Sequence, residues 1–191
     1  MNLYLVRHTT PDILPGICYG QTDIEVAGTY AQEVEAVVAK LSATSPAALY
    51  SSPLKRCSQL AVEIAGLTNC NVTHDPRLME LHFGDWEQVP WNDIPRGLVD
   101  VWADDHVMQA PPAGESFHTL SLRVQEFFQE MRAHHEGDDV VAFTHAGVIR
   151  AMLSHALNLP LVHSFRLQID YGSVTKIVVE KAITRVAYVN R

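Results

Sequence analysis

Cysteine is scarce. Cys18, Cys57 and Cys70 are the three that the chain holds. An odd set with no C-x-x-C pair builds neither a disulfide framework nor a thiolate zinc site, and the three read as ordinary thiols of a reducing cytoplasm. Basic residues are in deficit: 14 Lys and Arg stand against 22 Asp and Glu, a formal net charge of −8. Such a surface repels nucleic-acid backbones and anionic lipid, so neither is an expected partner. No apolar run approaches the roughly 20 residues of a membrane-spanning helix. Met1 to Arg7 has no basic lead and no long apolar core, unlike a signal peptide. No internal repeat, low-complexity tract or linker breaks the chain. What remains, 47% hydrophobic and 19% charged, is ordinary globular composition, and 191 residues suit one domain spanning 1–191.

Three short apolar runs, Leu3 to Val6, Ala47 to Tyr50 and Val140 to Phe143, fit strands buried on both faces of a parallel sheet. Helical spacing follows each. Val26, Tyr30, Val34, Val37, Val38 and Leu41 form one stripe. Leu54, Cys57, Ala61, Ile64 and Ala65 form the next. Leu120, Val124, Phe127, Phe128 and Met131 form a third, and Val148, Met152, Leu153 and His155 lie on a fourth helix. Strands alternating with helices predict an α/β three-layer sandwich, a mostly parallel central sheet flanked by helices. Near the C-terminus Phe165, Leu167 and Ile169 alternate with polar residues. After a turn at Gly172-Ser173, Val174 to Val179 reads as a strand, and past Lys181-Ala182 comes a last one near Arg185 to Val189. These are expected to pair antiparallel at one side of the sheet. Residues 85–114 carry Trp86, Trp91 and Trp102 with four prolines, and read as an irregular, partly helical insertion over one end of the sheet, where folds of this class bind ligands.

Four segments carry chemistry. Leu5-Val6-Arg7-His8 delivers an arginine and a histidine to the end of a central strand. Ser51-Ser52-Pro53-Leu54-Lys55-Arg56 offers Ser52 as a helix N-cap, Pro53 as first helical residue and Arg56 in the first turn, where free amides and a guanidinium attract phosphate. Glu80 sits between apolar neighbours before a turn at Gly84, and a carboxyl in such surroundings holds its proton more readily. Thr144-His145-Ala146-Gly147 ends another buried strand in a histidine and opens a helix at glycine. Each segment alone has a plainer reading: a strand end meeting solvent, a solvated arginine, a structural ion pair, a core histidine. Together they put two histidines and two arginines at strand ends or helix starts of one sheet, a set suited to gripping a phosphoryl group.

In Arg7-His8, in Arg56 after Ser51-Ser52-Pro53, in Glu80 before Gly84 and Trp86, and in Thr144-His145-Ala146-Gly147, the chain resembles the histidine phosphatase superfamily, also called phosphoglycerate mutase-like. Pro112-Ala113-Gly114-Glu115-Ser116 resembles a segment of its phosphatases. Thr9 stands where the family usually has glycine, a departure that one branch shares. The resemblance implies the phosphoglycerate mutase-like fold, His8 as covalent nucleophile, Arg7, Arg56 and His145 as ligands of the phosphoryl oxygens, and Glu80 as general acid and then base. It implies no cofactor and no metal, in keeping with a sequence that has no HExxH and no DxD. It implies a small-molecule phosphate ester as substrate; a homodimer stays open.

Gly16-Ile17-Cys18-Tyr19-Gly20-Gln21-Thr22-Asp23 resembles the α-ribazole-5′-phosphate phosphatases of cobalamin nucleotide-loop assembly. Gln21, Thr22 and His82 are candidate substrate contacts. A phosphoglycerate mutase is disfavoured: Phe83 stands where mutases carry an aromatic hydroxyl, and the insertion offers only Arg96 before Arg123. The three tryptophans could face a flat base or simply pack the insertion onto the sheet. Two further alternatives are a broad-specificity phosphatase and a catalytically silent phospho-ligand-binding protein, although silent members usually lose the nucleophile or the acid. A zinc hydrolase built on the histidines would be separated from all of these by its sensitivity to chelators.

Overall fold

The computed structural model describes residues 1–181 and 183–191; Ala182, noted above at the approach to the last strand, lies outside them. The strands are β1 (Asn2–Arg7), β2 (Ala48–Ser51), β3 (Val72–His74), β4 (Asp139–Thr144), β5 (Val174–Glu180) and β6 (Ile183–Tyr188). The helices are α1 (Tyr30–Leu41), α2 (Lys55–Thr68), α3 (Arg96–Asp104), α4 (Phe117–His134) and α5 (Ala146–Leu157). One sheet runs β3-β2-β4-β1-β5-β6. The first four strands in that order are mutually parallel, while β5 and β6 run antiparallel at one side. This is the expected α/β sandwich with a mostly parallel sheet.

Alternation along each strand makes the layers. Leu3, Leu5, Val140, Ala142, Ile177 and Val179 pack with α4 and α5 on one face. Tyr4, Val6, Val141, Phe143 and Val174 pack with α1 and α2 on the other. Successive side chains of a strand point to opposite faces, so a continuous apolar run is what a strand covered on both sides requires. Residues 85–114 form a third, smaller cluster, in which Cys18, Trp86 and Ile94 are buried against Phe83, Val89, Trp91, Val99 and Trp102. Its regular pieces are α3 and the end of a 3₁₀ helix at Gly84–Trp86.

Several expectations need correction. Helix α1 starts at Tyr30, and Val26 instead bridges Pro11. Helix α2 starts at Lys55 rather than at Pro53, so Ser52 is not its N-cap. The Leu54–Lys55 step is capped from a distance: Asp23 Oδ1 accepts from the Lys55 amide at 2.7 Å. Strand β3 escaped the sequence reading because three residues, two of them exposed, leave no pattern. Strand β6 begins two residues earlier than expected. The alternation of Phe165, Leu167 and Ile169 is not a strand. A 3₁₀ helix covers Leu161–Arg166, and the carbonyls of Leu167 and Ile169 accept from Arg150 and Arg7. Arginine side chains satisfy backbone groups that a neighbouring strand would otherwise take.

Phe127 lies fully buried on α4, in the layer opposite α1 and α2. Its truncation to alanine should cost about 3–5 kcal/mol, measured by urea unfolding, with kcat per folded molecule unchanged.

Candidate active site

The site is built by register. Arg7 pairs Thr144 across β1 and β4, and the His8 amide donates to the Thr144 carbonyl at 3.0 Å. Two adjacent parallel strands therefore end together, and the residues that follow, His8 and His145, stand side by side with ring centroids 5.0 Å apart. Strand β2 ends beside them: the Ser52 amide donates to Phe143, and Ser52 Oγ lies 2.8 Å from His145 Nε2. Ser52 thus holds a histidine instead of capping a helix.

His8 is buried, and its Nδ1 lies 2.7 Å from the Thr9 carbonyl. A carbonyl can only accept, so Nδ1 carries the proton and Nε2 the lone pair. Burial, and then the charges of Arg56 and Arg7, hold the His8 pKa well below the usual imidazole value, against the hydrogen bond to Thr9. His145 is depressed in the same way, by burial first and then by Arg56, His8, Arg7 and Arg123. Desolvation does more than the arginines to keep His8 neutral.

Arg56 has no exposed surface. Its Nη2 donates to the Gly20 carbonyl at 2.6 Å and its Nη1 to the Thr22 carbonyl at 2.9 Å, while its Nε has no partner among the described residues. Arg7 donates Nη1 to the Ile169 carbonyl at 2.6 Å, and its buried Nε is likewise unpartnered. Among the described residues no carboxylate pairs with either guanidinium, so both cations are left to meet an anion between them.

Glu80 lies in a stretch without regular structure, and side chains hold it there. The carbonyls of Arg77 and Met79 accept from Arg123 Nη1, that of Leu78 from Thr144 Oγ1, and that of Glu80 from Arg123 Nη2 and Gln21 Nε2. Glu115 fixes Arg123 in turn, with Oε1 2.5 Å from Nη2 and Oε2 3.2 Å from Nε. The Glu80 carboxylate meets the start of α5, where Oε2 accepts from the Gly147 amide at 3.2 Å, a location favoured by the helix dipole. A Cβ on Gly147 would stand 2.3 Å from Glu80 Oε1, so only glycine leaves this carboxylate room.

The 16–23 segment serves as a clamp. Gly20 passes so close that a Cβ there would fall 1.9 Å from the Leu81 carbonyl. Gln21 holds the Glu80 backbone, and the Thr22 amide and hydroxyl both donate to Glu87. The Gln21 side-chain nitrogen and the Thr22 hydroxyl are thus engaged within the protein. The His82 ring, 43% exposed, faces Glu87 at 4.0 Å. Burial pushes the Glu87 pKa up, but donors from Thr22, Gln21 and Phe83 outweigh it and hold it below the ordinary value.

Glu87, Arg123 and Glu115 were missed as site-building residues. One signal existed: Arg123 falls at i+3 from Leu120 and i−4 from Phe127, inside the apolar stripe of α4. Of the tryptophans, Trp86 is buried by packing, while Trp102 borders a slot of about 100 Å³ beside Glu80, Gly147 and Arg150, walled also by Leu81, Phe83, Phe117 and Phe165.

A family model, the histidine phosphatase superfamily (branch 1), matches residues 3–191. Glucosyl-3-phosphoglycerate phosphatase of Mycobacterium tuberculosis is 30% identical over 84% of this chain and 77% of its own. The adenosylcobalamin/α-ribazole phosphatase of Salmonella typhimurium is 25% identical over 90% of this chain and 87% of its own. The solved α-ribazole phosphatase of Shigella flexneri superposes with a TM-score of 0.92 at 21% identity, covering 100% of this chain and 96% of that one, and shares its fold. With strand ends that bring His8 and His145 together between two uncompensated arginines, and a match running from residue 3 to residue 191, the chain belongs to the histidine phosphatase superfamily.

Proposed function

We propose that this phosphatase hydrolyses phosphomonoesters through a phosphohistidine on His8, without a metal. The carrying observation is the buried His8 ring, which donates Nδ1–H to the Thr9 carbonyl in a hydrogen bond and keeps an Nε2 lone pair beside Arg7 and Arg56. His8 Nε2 attacks phosphorus in line, the ester P–O bond breaks, and Glu80 protonates the departing alkoxide. Glu80 then takes a proton from water, whose oxygen attacks phosphorus as the P–N bond breaks and inorganic phosphate leaves. Arg7, Arg56 and His145 bind the phosphoryl oxygens throughout, the positioning and charge neutralisation on which phosphoryl transfer depends. Gln21 acts through the Glu80 backbone, Thr22 through Glu87, and His82 borders the approach.

For the leaving group, we propose α-ribazole-5′-phosphate, which would put the enzyme in cobalamin nucleotide-loop assembly. The 16–23 segment and the Salmonella relative support this, and the apolar slot beside Glu80 suits a leaving group with a hydrophobic part. The second reading is a broad-specificity phosphatase, favoured by a Mycobacterium relative of higher identity that acts on a different ester.

Four outcomes are expected. Denaturing quench during turnover should trap acid-labile, base-stable phosphate on His8, and His8→Ala should abolish it together with turnover. Because the His8 pKa is depressed, kcat/KM should hold as pH falls through about 6.5 and decline only below it. Next, phosphate release in EDTA should favour α-ribazole-5′-phosphate over 3-phosphoglycerate and an aryl phosphate; equal low rates would remove the cobalamin assignment and keep the phosphatase. Finally, Gly147→Ala should displace the Glu80 carboxylate and lower kcat by about a hundredfold or more, within the range of general acid catalysis. Its melting temperature should not fall, since alanine is the better helix former.

A further inference from the structure

Two tyrosines at the phosphoryl pocket have no part in the chemistry above. Tyr19 comes from the 16–23 segment and Tyr171 from the turn before β5, and their hydroxyl oxygens lie 2.8 Å apart. The Tyr171 ring covers the Arg7 guanidinium, with 3.8 Å from carbon to centroid, and lies 5.5 Å from the His8 ring. The Tyr19 ring stands 5.5 Å from the Arg56 guanidinium carbon. Each tyrosine therefore packs on one of the two cations that flank His8, and a hydrogen bond joins the pair.

Both rings sit on anchored backbone. Beside Tyr171, the Gly172 amide donates to the His8 carbonyl at 3.1 Å, the Arg7 amide donates to Ser173 at 3.0 Å, and Lys40 Nζ reaches the Gly172 carbonyl at 2.8 Å. Beside Tyr19, Cys18 exchanges hydrogen bonds with Val89 and Gln88, and the Gly20 carbonyl binds Arg56. Arg7 needs such a neighbour. One carbonyl holds one of its terminal nitrogens, and its Nε has no partner among the described residues. A ring on the face of a guanidinium leaves only its edge free to donate and shields that face from water.

We propose that Tyr171 is a positioning residue for the phosphoryl group, acting through Arg7, and that its hydroxyl bond to Tyr19 couples Arg7 to Arg56 so that the two guanidinia grip as a unit. The proposal rests on the assignment of Arg7 and Arg56 as phosphoryl ligands of a His8 enzyme. It differs from simple packing in what a variant should change: affinity for the phosphoryl group, in substrate and product alike, with chemistry and stability nearly intact.

The test uses the full chain with p-nitrophenyl phosphate as substrate and orthophosphate as competitive inhibitor. Tyr171→Leu should raise KM and the orthophosphate inhibition constant together, by about three- to thirtyfold, the range of a cation–π contact, with kcat and melting temperature close to wild type. Tyr171→Phe keeps the ring and should restore most of this. Tyr19→Phe and Tyr171→Phe remove the same hydrogen bond, so each should show the same small rise, and the double variant should be no worse than either. Unchanged KM and inhibition constant in Tyr171→Leu, or a loss confined to kcat or to melting temperature, would overturn the proposal. His8→Ala separates the two levels. If it is inert, a failure of the tyrosine variants counts against the tyrosines alone; if it keeps turnover, the phosphohistidine assignment falls and the tyrosine proposal with it.

Discussion

A guanidinium with no exposed surface and, among the described residues, no carboxylate paired with it is a costly group to fold around, and Arg56 is that group. Its two carbonyl partners, Gly20 and Thr22, solvate the cation without cancelling it. Everything else at the site follows from that choice. The 16–23 segment must run close enough to offer those carbonyls, hence a glycine at position 20, where any Cβ would collide with Leu81. The same segment must be held, hence the donors of Thr22 to Glu87 and the cap that Asp23 supplies to α2. The uncancelled charge then acts on its neighbours, helping burial to keep His8 and His145 neutral. A carboxylate paired with Arg56 would be better for stability and would remove both effects.

The opposite arrangement governs Glu80. Here the carboxylate has no ion pair among the described residues, and one cation close to it, Arg123, is taken by Glu115 and directed at backbone carbonyls instead. A stretch without helix or strand has carbonyls to satisfy, and the hydrogen bonds that satisfy them also fix where the Glu80 side chain begins. The Pro112–Ser116 segment has a physical reading in these terms: Ser116 caps α4, which carries Arg123, and Glu115 orients that arginine.

What was legible in the sequence was whatever depends on one segment at a time. An apolar run ending in Arg7-His8, and another ending in Thr144-His145, read directly as strand ends, and a parallel sheet then brings them to one edge. The antiparallel pair β5 and β6 and the aromatic insertion were legible for the same reason. Side-chain closure between distant segments was not. Arg123 reaches residues 77–80, Glu87 reaches 21–22, and Tyr171 meets Tyr19, and no spacing along the chain announces such meetings. Where the pattern misled, the cause was the same. Leu167 and Ile169 alternate as in a strand, but Arg150 and Arg7 take the carbonyls that a ladder would have used.

The two halves of the site differ in how they can change. The half proposed to bind phosphate hangs on the sheet: His8 and His145 continue paired strands, and Arg56 sits in the first turn of a helix that follows β2. Moving any of them means moving the sheet. The slot beside Glu80 is walled by Phe83, Trp102 and Phe165, which come from the turn at Gly84, from α3 and from the 3₁₀ helix at Leu161–Arg166, none of them a strand of the sheet. Under the proposed mechanism, replacing those side chains would reshape the space for a leaving group while His8, His145 and Arg56 stay in place on the sheet. A superfamily can therefore keep one phosphoryl chemistry while its members act on different esters. The same division explains why the strand ends of this chain disclose its reaction more readily than its substrate.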